Sequence, residues 1–335
     1  MTKFTALNKK IKIFLNYFLG PILFIWLSYS IYNHVINQPN WYASWQKIKT
    51  SFYGPEAIKV ILVIVLMFFN WSIEAVKWKI LVKHIEVISF ITALKGILAG
   101  VSLAINTPNR VGEYFGRIIY LREGNRLRAI SLTVVGSTSQ LIITVIFGII
   151  GLFFLRQNLV DTTNGAIELS MLWINIIIYG ATGIAIILLL IYFRLSFITR
   201  VVGKIPFVAK YAFFIQKLEE FQWPELSKVL LLSLIRYGIF IVQYVLLLQV
   251  FDVHIDLLHA CLLTFVMFLI LAVVPTIAMA ELGLRGQVGL LLFGLFSNNS
   301  LGIVLTASGI WIINLVVPAL AGSLFILGKK FFRNK

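Results

Sequence analysis

The sequence predicts an all-α polytopic membrane protein with about six transmembrane helices and two oppositely oriented re-entrant hairpins, arranged as an inverted repeat. Three observations lead to this fold class: an apolar composition, clustered basic residues, and two similar broken segments. Of the 335 residues, 60% are hydrophobic and 13% are charged, and the mean hydropathy is +0.94. Because soluble globular domains carry roughly 25% charged residues, the composition indicates a single integral membrane domain over residues 1–335.

Apolar runs long enough to be membrane segments occur eight times, given that about 20 residues cross the hydrocarbon core. The first run is too long for a signal-peptide core and precedes no clear cleavage site, so it is expected to remain as a helix. The runs lie at residues 11–33, 57–76, 87–107, 129–155, 171–193, 229–251, 257–280 and 301–327.

The basic residues between these runs predict the orientation. Five clusters hold four, three, five, six and four of the 29 lysines and arginines, and such clusters stay in the cytoplasm. The run at 87–107 must then enter from the cytoplasm and return, whereas the region 257–297 enters from outside, and both termini are cytoplasmic. The alternative, eight straight crossings, would place a five-arginine cluster outside. The clusters are residues 3–12, 77–84, 109–128, 194–228 and 329–335.

Two broken segments mark the tips of the predicted hairpins. They are NTPNRVGEYFGR at residues 106–117 and PTIAMAELGLRG at residues 275–286, and each contains a proline and a glycine that disfavour a continuous helix. Broken segments at corresponding positions are typical of a transporter built from repeats. The repeats are predicted at 57–155 and 229–327, joined by an amphipathic cytoplasmic interfacial linker at 194–228.

Ionisable residues at membrane depth persist mainly where they face a partner, a cavity or a substrate. Glu113 precedes Arg117 by four residues, as Glu281 precedes Arg285, so each pair shares one helix face. An arginine fork and a helix N-terminus both suit phosphate. Alternatively, each pair is a structural staple that contacts no substrate. The candidate substrate-binding residues are Arg110, Glu113, Arg117, Arg236, Glu281 and Arg285.

Other polar residues within the apolar runs receive structural interpretations. Arg236 lies eight residues after Lys228, and its expected partner is Glu281, a backbone carbonyl or the substrate. Glu74 and Lys77, with the neighbouring tryptophans, are predicted to mark an interface belt. The polar patch at residues 137–140 is expected to serve helix packing.

The sequence offers little for enzymatic chemistry. His254, Asp256 and His259 share one outer loop, but an i to i+5 histidine spacing does not place both rings on one helix face, as a metal site would require. No GxSxG, HExxH or P-loop motif is present. We expect no metal, no cofactor and no ATP site. Nucleic acid is not an expected partner, because no soluble basic domain carries the positive charge.

The motifs resemble those of the flippase-like, or lysylphosphatidylglycerol synthase transmembrane, family. The resemblance spans essentially the whole chain and implies a bacterial cytoplasmic-membrane protein that moves polar-headed lipids between leaflets. This sequence differs in having Gly286 where the family often has an acid after the late arginine. The matching residues are Lys77, Trp78, Lys79, Pro108, Arg110, Gly112, Glu113, Pro275, Gly283 and Arg285.

The predicted function is therefore translocation of a lipid with an anionic or phosphate-containing head group. The alternatives are a membrane-embedded lipid-modifying enzyme and a non-catalytic partner subunit of a lipid synthase. The sequence ends at Lys335, soon after the last apolar run, so lysyl transfer by a soluble domain is not expected. The expected partners are the lipid itself, a second copy of the chain, or a lipid-synthesis protein.

Overall fold

The described residues of the chain are helical and contain no strand. The computed structural model describes residues 42, 46, 50, 54, 56–105, 107, 110–162, 168–197, 199, 216–274 and 278–327. The principal helices are α1 (Ala57–Val82), α2 (Phe90–Ala104), α3 (Gly112–Ile118), α4 (Arg126–Thr162), α5 (Glu168–Phe193), α6 (Trp223–Val250), α7 (Leu257–Val273), α8 (Ala278–Phe293), α9 (Ser300–Trp311) and α10 (Val317–Leu327).

Five segments within these ranges are long and apolar enough to cross a membrane, which confirms the predicted all-α polytopic fold. They correspond to α1, α4, α5, α6 and the continuous stretch from α9 to α10, which contains one π-helical turn at Ile312–Val316. The predicted first crossing, at residues 11–33, lies outside the described residues. The apolar helices α2 and α7 have only 15 and 17 residues. At 1.5 Å per residue each is about 22–26 Å long, shorter than the roughly 30 Å hydrocarbon core.

The helices α2 and α3 form a tight antiparallel hairpin, because glycines remove side chains from their contact. A Cβ atom on Gly116 would lie 2.3 Å from the Cα atom of Gly100, and one on Gly112 would lie 2.0 Å from the carbonyl oxygen of Leu103. Neither approach is sterically allowed for a larger residue. Between the two helices, Arg110 adopts a positive φ of 58°.

Both ends of this hairpin meet at one end of the helix bundle. The carboxylate of Glu86, just before α2, accepts hydrogen bonds from the backbone of Arg122 and from Asn125 Nδ2, both at 3.0 Å. Arg122 and Asn125 follow α3, so the chain returns to the end of the bundle from which it entered.

The second hairpin, α7 and α8, closes in the same manner at the opposite end. Asn299, which follows α8, donates Nδ2 hydrogen bonds to the carbonyl oxygens of Phe251 and Asp252, which precede α7, both at 3.0 Å. The start of α6 lies near the first closure, where Glu225 contacts His84 at 2.9 Å. Since α6 runs from there to Phe251, the two hairpins close at opposite ends.

The helices that correspond in the two predicted repeats pack together with opposite directions. Along α1 and α6, His84 pairs with Glu225 at one end, and Gln243 Nε2 donates to Val63 O at 2.8 Å toward the other. The first helix of each hairpin packs on a helix of the other predicted repeat. Helix α2 packs on α10 of the second repeat, and α7 packs on α4 of the first. An inverted repeat requires this antiparallel arrangement. The repeat boundaries stay a prediction.

The predicted interfacial linker is described only at its two ends, and most of its apolar stripe lies outside the described residues. The described part contains a 3₁₀ helix at Gln216–Glu220. Leu218 and Phe221 are buried, and the Phe221 ring centroid is 4.7 Å from that of His84. This end of the linker therefore packs on the end of α1.

Candidate functional site

A buried carboxylate, Glu74 of α1, lies at the centre of the bundle and contacts three cations. Its Oε1 atom accepts a hydrogen bond from Arg117 Nη2 at 2.8 Å. Its Oε2 atom pairs with Lys77 Nζ at 2.8 Å and with Arg236 Nη1 at 2.7 Å. Glu74 is 1% exposed. A buried charge is costly unless it is paired, so this carboxylate stabilises α1, α3 and α6 in one arrangement.

One polar face of α1 supplies several side chains of this buried charged network. Asn70, Glu74 and Lys77 are spaced four and three residues apart and share one helix face. Asn70 Oδ1 accepts a hydrogen bond from Arg236 Nε at 2.6 Å. The predicted interface belt is therefore wrong for Glu74 and Lys77, since both are 1% exposed. The apolar residues around them cover the helix surface, while these polar side chains turn inward.

The two neighbouring tryptophans are also buried in the bundle rather than placed in a surface belt. Trp71 is 6% exposed, and its ring centroid lies 5.1 Å from the guanidinium of Arg236. Trp78 lies 5.7 Å from the guanidinium of Arg117. Each ring face therefore adds a cation–π contact to the charged network.

The polar patch of α4 joins the network through Ser139. Ser139 Oγ is 2.8 Å from Ser233 Oγ of α6, and Lys77 Nζ donates to Ser233 Oγ and to Gly136 O, both at 3.3 Å. The prediction of helix packing is confirmed for Ser139. Gln140, the last residue of the patch, lines the cavities described below.

Both predicted pairs at i and i+4 form. Arg117 bonds Glu113 on α3, and Arg285 Nε donates to Glu281 Oε1 at 3.0 Å on α8. Arg236 is not paired with Glu281 or with a backbone carbonyl. Its partners are Glu74 and Asn70, which sequence spacing could not identify because they lie 162 and 166 residues away.

Two adjoining cavities, of about 610 and 250 Å³, lie where the hairpins approach each other. The larger has a volume typical of small-molecule sites, roughly 300–1,000 Å³. All six candidate residues contribute to the walls, although their role toward a substrate stays a prediction. The larger cavity contains Arg110, Arg236, Glu281 and Arg285, and the smaller contains Arg110, Glu113, Arg117 and Arg236.

Arg110, at the tip of the first hairpin, lines both cavities. Its Nε atom is buried without a hydrogen-bond partner, and no described carboxylate lies within 4 Å of it. Its left-handed backbone is uncommon for a residue with a side chain, and such conformations cluster at functional sites. The structure thus holds this guanidinium group between the two cavities near Glu113 and Glu281, but in no close ion pair with a described carboxylate.

Much of the larger cavity is apolar. Phe240 of α6 and Phe268 and Leu271 of α7 contribute to its wall, which continues to Val273. Val273, the last residue of α7, is 71% exposed, so the apolar wall is open at this end. The cavity therefore joins a cationic region to an apolar surface of the bundle.

The structure places His254 before α7 and His259 in its first turn, rather than both in one loop, and neither residue contributes to the cavity walls. His259 Nδ1 is 3.2 Å from Asp256 Oδ2, and this hydrogen bond lowers the pKa of Asp256. Within the described ranges, no three His, Cys, Asp or Glu residues are grouped so that they could hold a metal ion.

A comparison with protein families agrees with the motifs. The profile of the lysylphosphatidylglycerol synthase transmembrane region matches residues 18–322. The chain belongs to this family. Membership in the lysylphosphatidylglycerol synthase transmembrane family indicates a function related to membrane lipids. No curated protein and no solved structure matches the chain.

Proposed function

We propose that this protein moves a lipid with an anionic, phosphate-containing head group between the leaflets of a bacterial cytoplasmic membrane. One observation carries the proposal: the larger cavity combines arginines and an apolar wall between two hairpins. A lipid has the same two parts, a charged head and apolar chains.

The cationic region suits the head group. Arg110 has a buried nitrogen without a hydrogen-bond partner, and Arg285 lines the same cavity. Guanidinium groups bind phosphate oxygens through short, charge-assisted hydrogen bonds. In a site removed from water these interactions are stronger than at an exposed surface.

The apolar wall suits the acyl chains. Phe240, Phe268 and Val273 extend from the cavity to the bundle surface, so a bound head group need not withdraw its chains from the surrounding lipid. Keeping the chains in an apolar environment avoids exposing them to water, at about 0.8 kcal/mol per CH₂.

The hairpins suggest how the site reaches both leaflets. They close at opposite ends of the bundle, and in the proposed orientation α2 and α3 enter from the cytoplasm while α7 and α8 enter from outside. Broken helices of inverted repeats place transporter sites near the bilayer midplane. Arg117 and Arg285 would bind the head group in turn, with Glu113 and Glu281 neutralising them when no lipid is bound. Movement would be downhill or coupled to an ion.

The proposal is tested with purified protein in liposomes that contain a fluorescent phosphatidylglycerol in both leaflets. A membrane-impermeant reductant bleaches only the outer leaflet unless the protein exposes inner-leaflet lipid. We expect bleaching beyond the outer-leaflet fraction with the native protein, and loss of this extra bleaching in the double variant R110Q/R285Q.

The control is R122Q, which removes one arginine charge from a side chain that is 85% exposed and lies outside the cavities, whereas the double variant removes two within them. It should move lipid as the native protein does. Equal bleaching in R110Q/R285Q, R122Q and the native protein would refute the cavity as the site of lipid movement.

A further inference from the structure

The two adjoining cavities contain more positive than negative side chains. Five basic side chains contribute to their walls against three carboxylates, a formal surplus of two positive charges. The cations are Lys77, Arg110, Arg117, Arg236 and Arg285, and the carboxylates are Glu74, Glu113 and Glu281.

The stretches outside the described ranges add no acidic side chain to the cavities. All 13 aspartates and glutamates lie within those ranges, and the remaining stretches contain neither residue type. Asp161 lies at the end of α4 and Glu168 at the start of α5. Asp161 is 17 residues beyond Thr144 of the cavity wall, about 25 Å along the helix. Among the described residues, the surplus of positive side chains at the cavities is therefore not balanced by any other acidic side chain of the walls.

Two of the arginines that contribute to the surplus positive charge have nitrogen atoms without a hydrogen-bond partner. Arg110 Nε, Arg117 Nε and Arg117 Nη1 are buried and have no hydrogen-bond partner. Arg117 is 3% exposed, and it lines the smaller cavity although Glu74 and Glu113 already contact its Nη2 atom. These three donor atoms belong to two side chains that line the smaller cavity, and a phosphate monoester carries three terminal oxygens that can accept hydrogen bonds from them.

Unbalanced cations in a low-dielectric interior favour an occupant that restores neutrality. A phosphodiester head with one negative charge leaves one cation unbalanced, and a head that carries an amino group adds a further positive charge. We infer that the site selects a head group with two negative charges, a phosphate monoester or diphosphate, and rejects zwitterionic and aminoacylated heads. This inference rests on the proposed function and specifies its substrate class.

The test compares fluorescent lipids with identical acyl chains in the same liposomes at pH 8. Phosphatidate should move about tenfold faster than phosphatidylglycerol, the factor typical of one additional hydrogen bond to a charged group. Phosphatidylcholine and lysylphosphatidylglycerol should move at the rate of protein-free liposomes. Between pH 8 and pH 5 the phosphatidate rate should fall toward that of phosphatidylglycerol, because the second phosphate proton binds near pH 6.

The variant R110Q tests whether the preference for phosphatidate over phosphatidylglycerol depends on the surplus positive charge. R110Q removes one unbalanced cation, so phosphatidate should lose most of its advantage over phosphatidylglycerol, while R122Q should retain it. An R110Q protein that keeps the native ratio between the two lipids would overturn the inference even if both rates fall.

The outcomes separate the inference from the proposed function. Equal rates for phosphatidate, phosphatidylglycerol and phosphatidylcholine would overturn the head-group selection and leave lipid movement standing. Movement of no lipid would overturn both. Uptake of radiolabelled inorganic phosphate into the same liposomes, without preference among lipids, would assign the site to the free ion and also overturn the inference.

Discussion

Glu74 connects three helices through side chains that are all charged, and this makes it the residue on which the centre of the bundle depends. Arg117 comes from α3, Arg236 from α6 and Lys77 from the same helix as Glu74. Such a network is stable only while the negative charge is present, because each cation has lost most of its contact with water.

Replacing this carboxylate by its amide is therefore expected to destabilise the protein strongly. E74Q should lower the free energy of unfolding by about 3–5 kcal/mol, the cost typical of breaking a buried ion pair. Thermal unfolding in detergent measures the change. E219Q, at an exposed position, should change it by less than about 1 kcal/mol.

A second variant distinguishes charge balance from a simple loss of packing. E74Q/K77M removes one cation together with the carboxylate, so it should be more stable than E74Q alone. An E74Q/K77M protein that is less stable than E74Q would show that the network does not act through its charge balance.

The sequence predicts the local charge pairs but not the centre that joins them. Glu113 with Arg117 and Glu281 with Arg285 follow from the geometry of one helical turn. The contact between Glu74 and Arg236 joins residues 162 positions apart, and no helix periodicity encodes it. The available signal was the spacing of Asn70, Glu74 and Lys77, three polar residues on one face of an apolar helix.

The close packing of α2 against α3 in the first hairpin depends on glycines at their contact. G116A should destabilise it by about 1–3 kcal/mol or more, because the added methyl group would overlap the backbone of Gly100 and force α2 and α3 apart. The temperature of thermal unfolding and the rate of lipid movement should both fall. G124A is the matched control, since a Cβ atom there meets nothing within 4 Å. Equal stability of the two variants would contradict the tight packing.

The second hairpin depends on the side chain of Asn299. It donates to Phe251 O and Asp252 O and also caps α9 by accepting a hydrogen bond from Gly302 N at 2.9 Å. N299A should therefore cost about 1–2 kcal/mol of unfolding free energy. The neighbouring N298A, at an exposed position, should stay within about 0.5 kcal/mol of the native protein. Similar losses in both would refute the role of Asn299 as the closure.

The sequence predicts the existence of most helices and much less of their ends. Apolar runs locate α1, α4, α5 and α6 because length and hydropathy suffice for a membrane helix. The run predicted at 129–155 extends in the structure over Arg126–Thr162, since polar residues can continue a helix beyond the apolar stretch. The pairing of α2 with α10 and of α7 with α4 depends on shape, which the apolar pattern does not contain.

For the molecule as a whole, the distribution of basic residues was the informative signal. It predicted that residues 77–84 and 109–128 share a side, and Glu86 does contact Arg122 and Asn125 at one end of the bundle. The same reasoning predicts that the second hairpin enters from the other side of the membrane, which stays a prediction; the structure shows that Asn299 closes it at the opposite end of the bundle. Because the two hairpins close at opposite ends of the bundle, their inner ends meet near its middle, and the six candidate residues line the two cavities there.

The proposed function requires that the two hairpins enter the membrane from opposite sides and meet at a cationic cavity. Single cysteines at Gly124 and Asn298, both exposed beyond a hairpin, test it in the C261A background with a membrane-impermeant maleimide applied to each side. We predict that G124C reacts only from the cytoplasm and N298C only from outside. Reaction of both from the same side would contradict the inverted arrangement and, with it, the midplane lipid site.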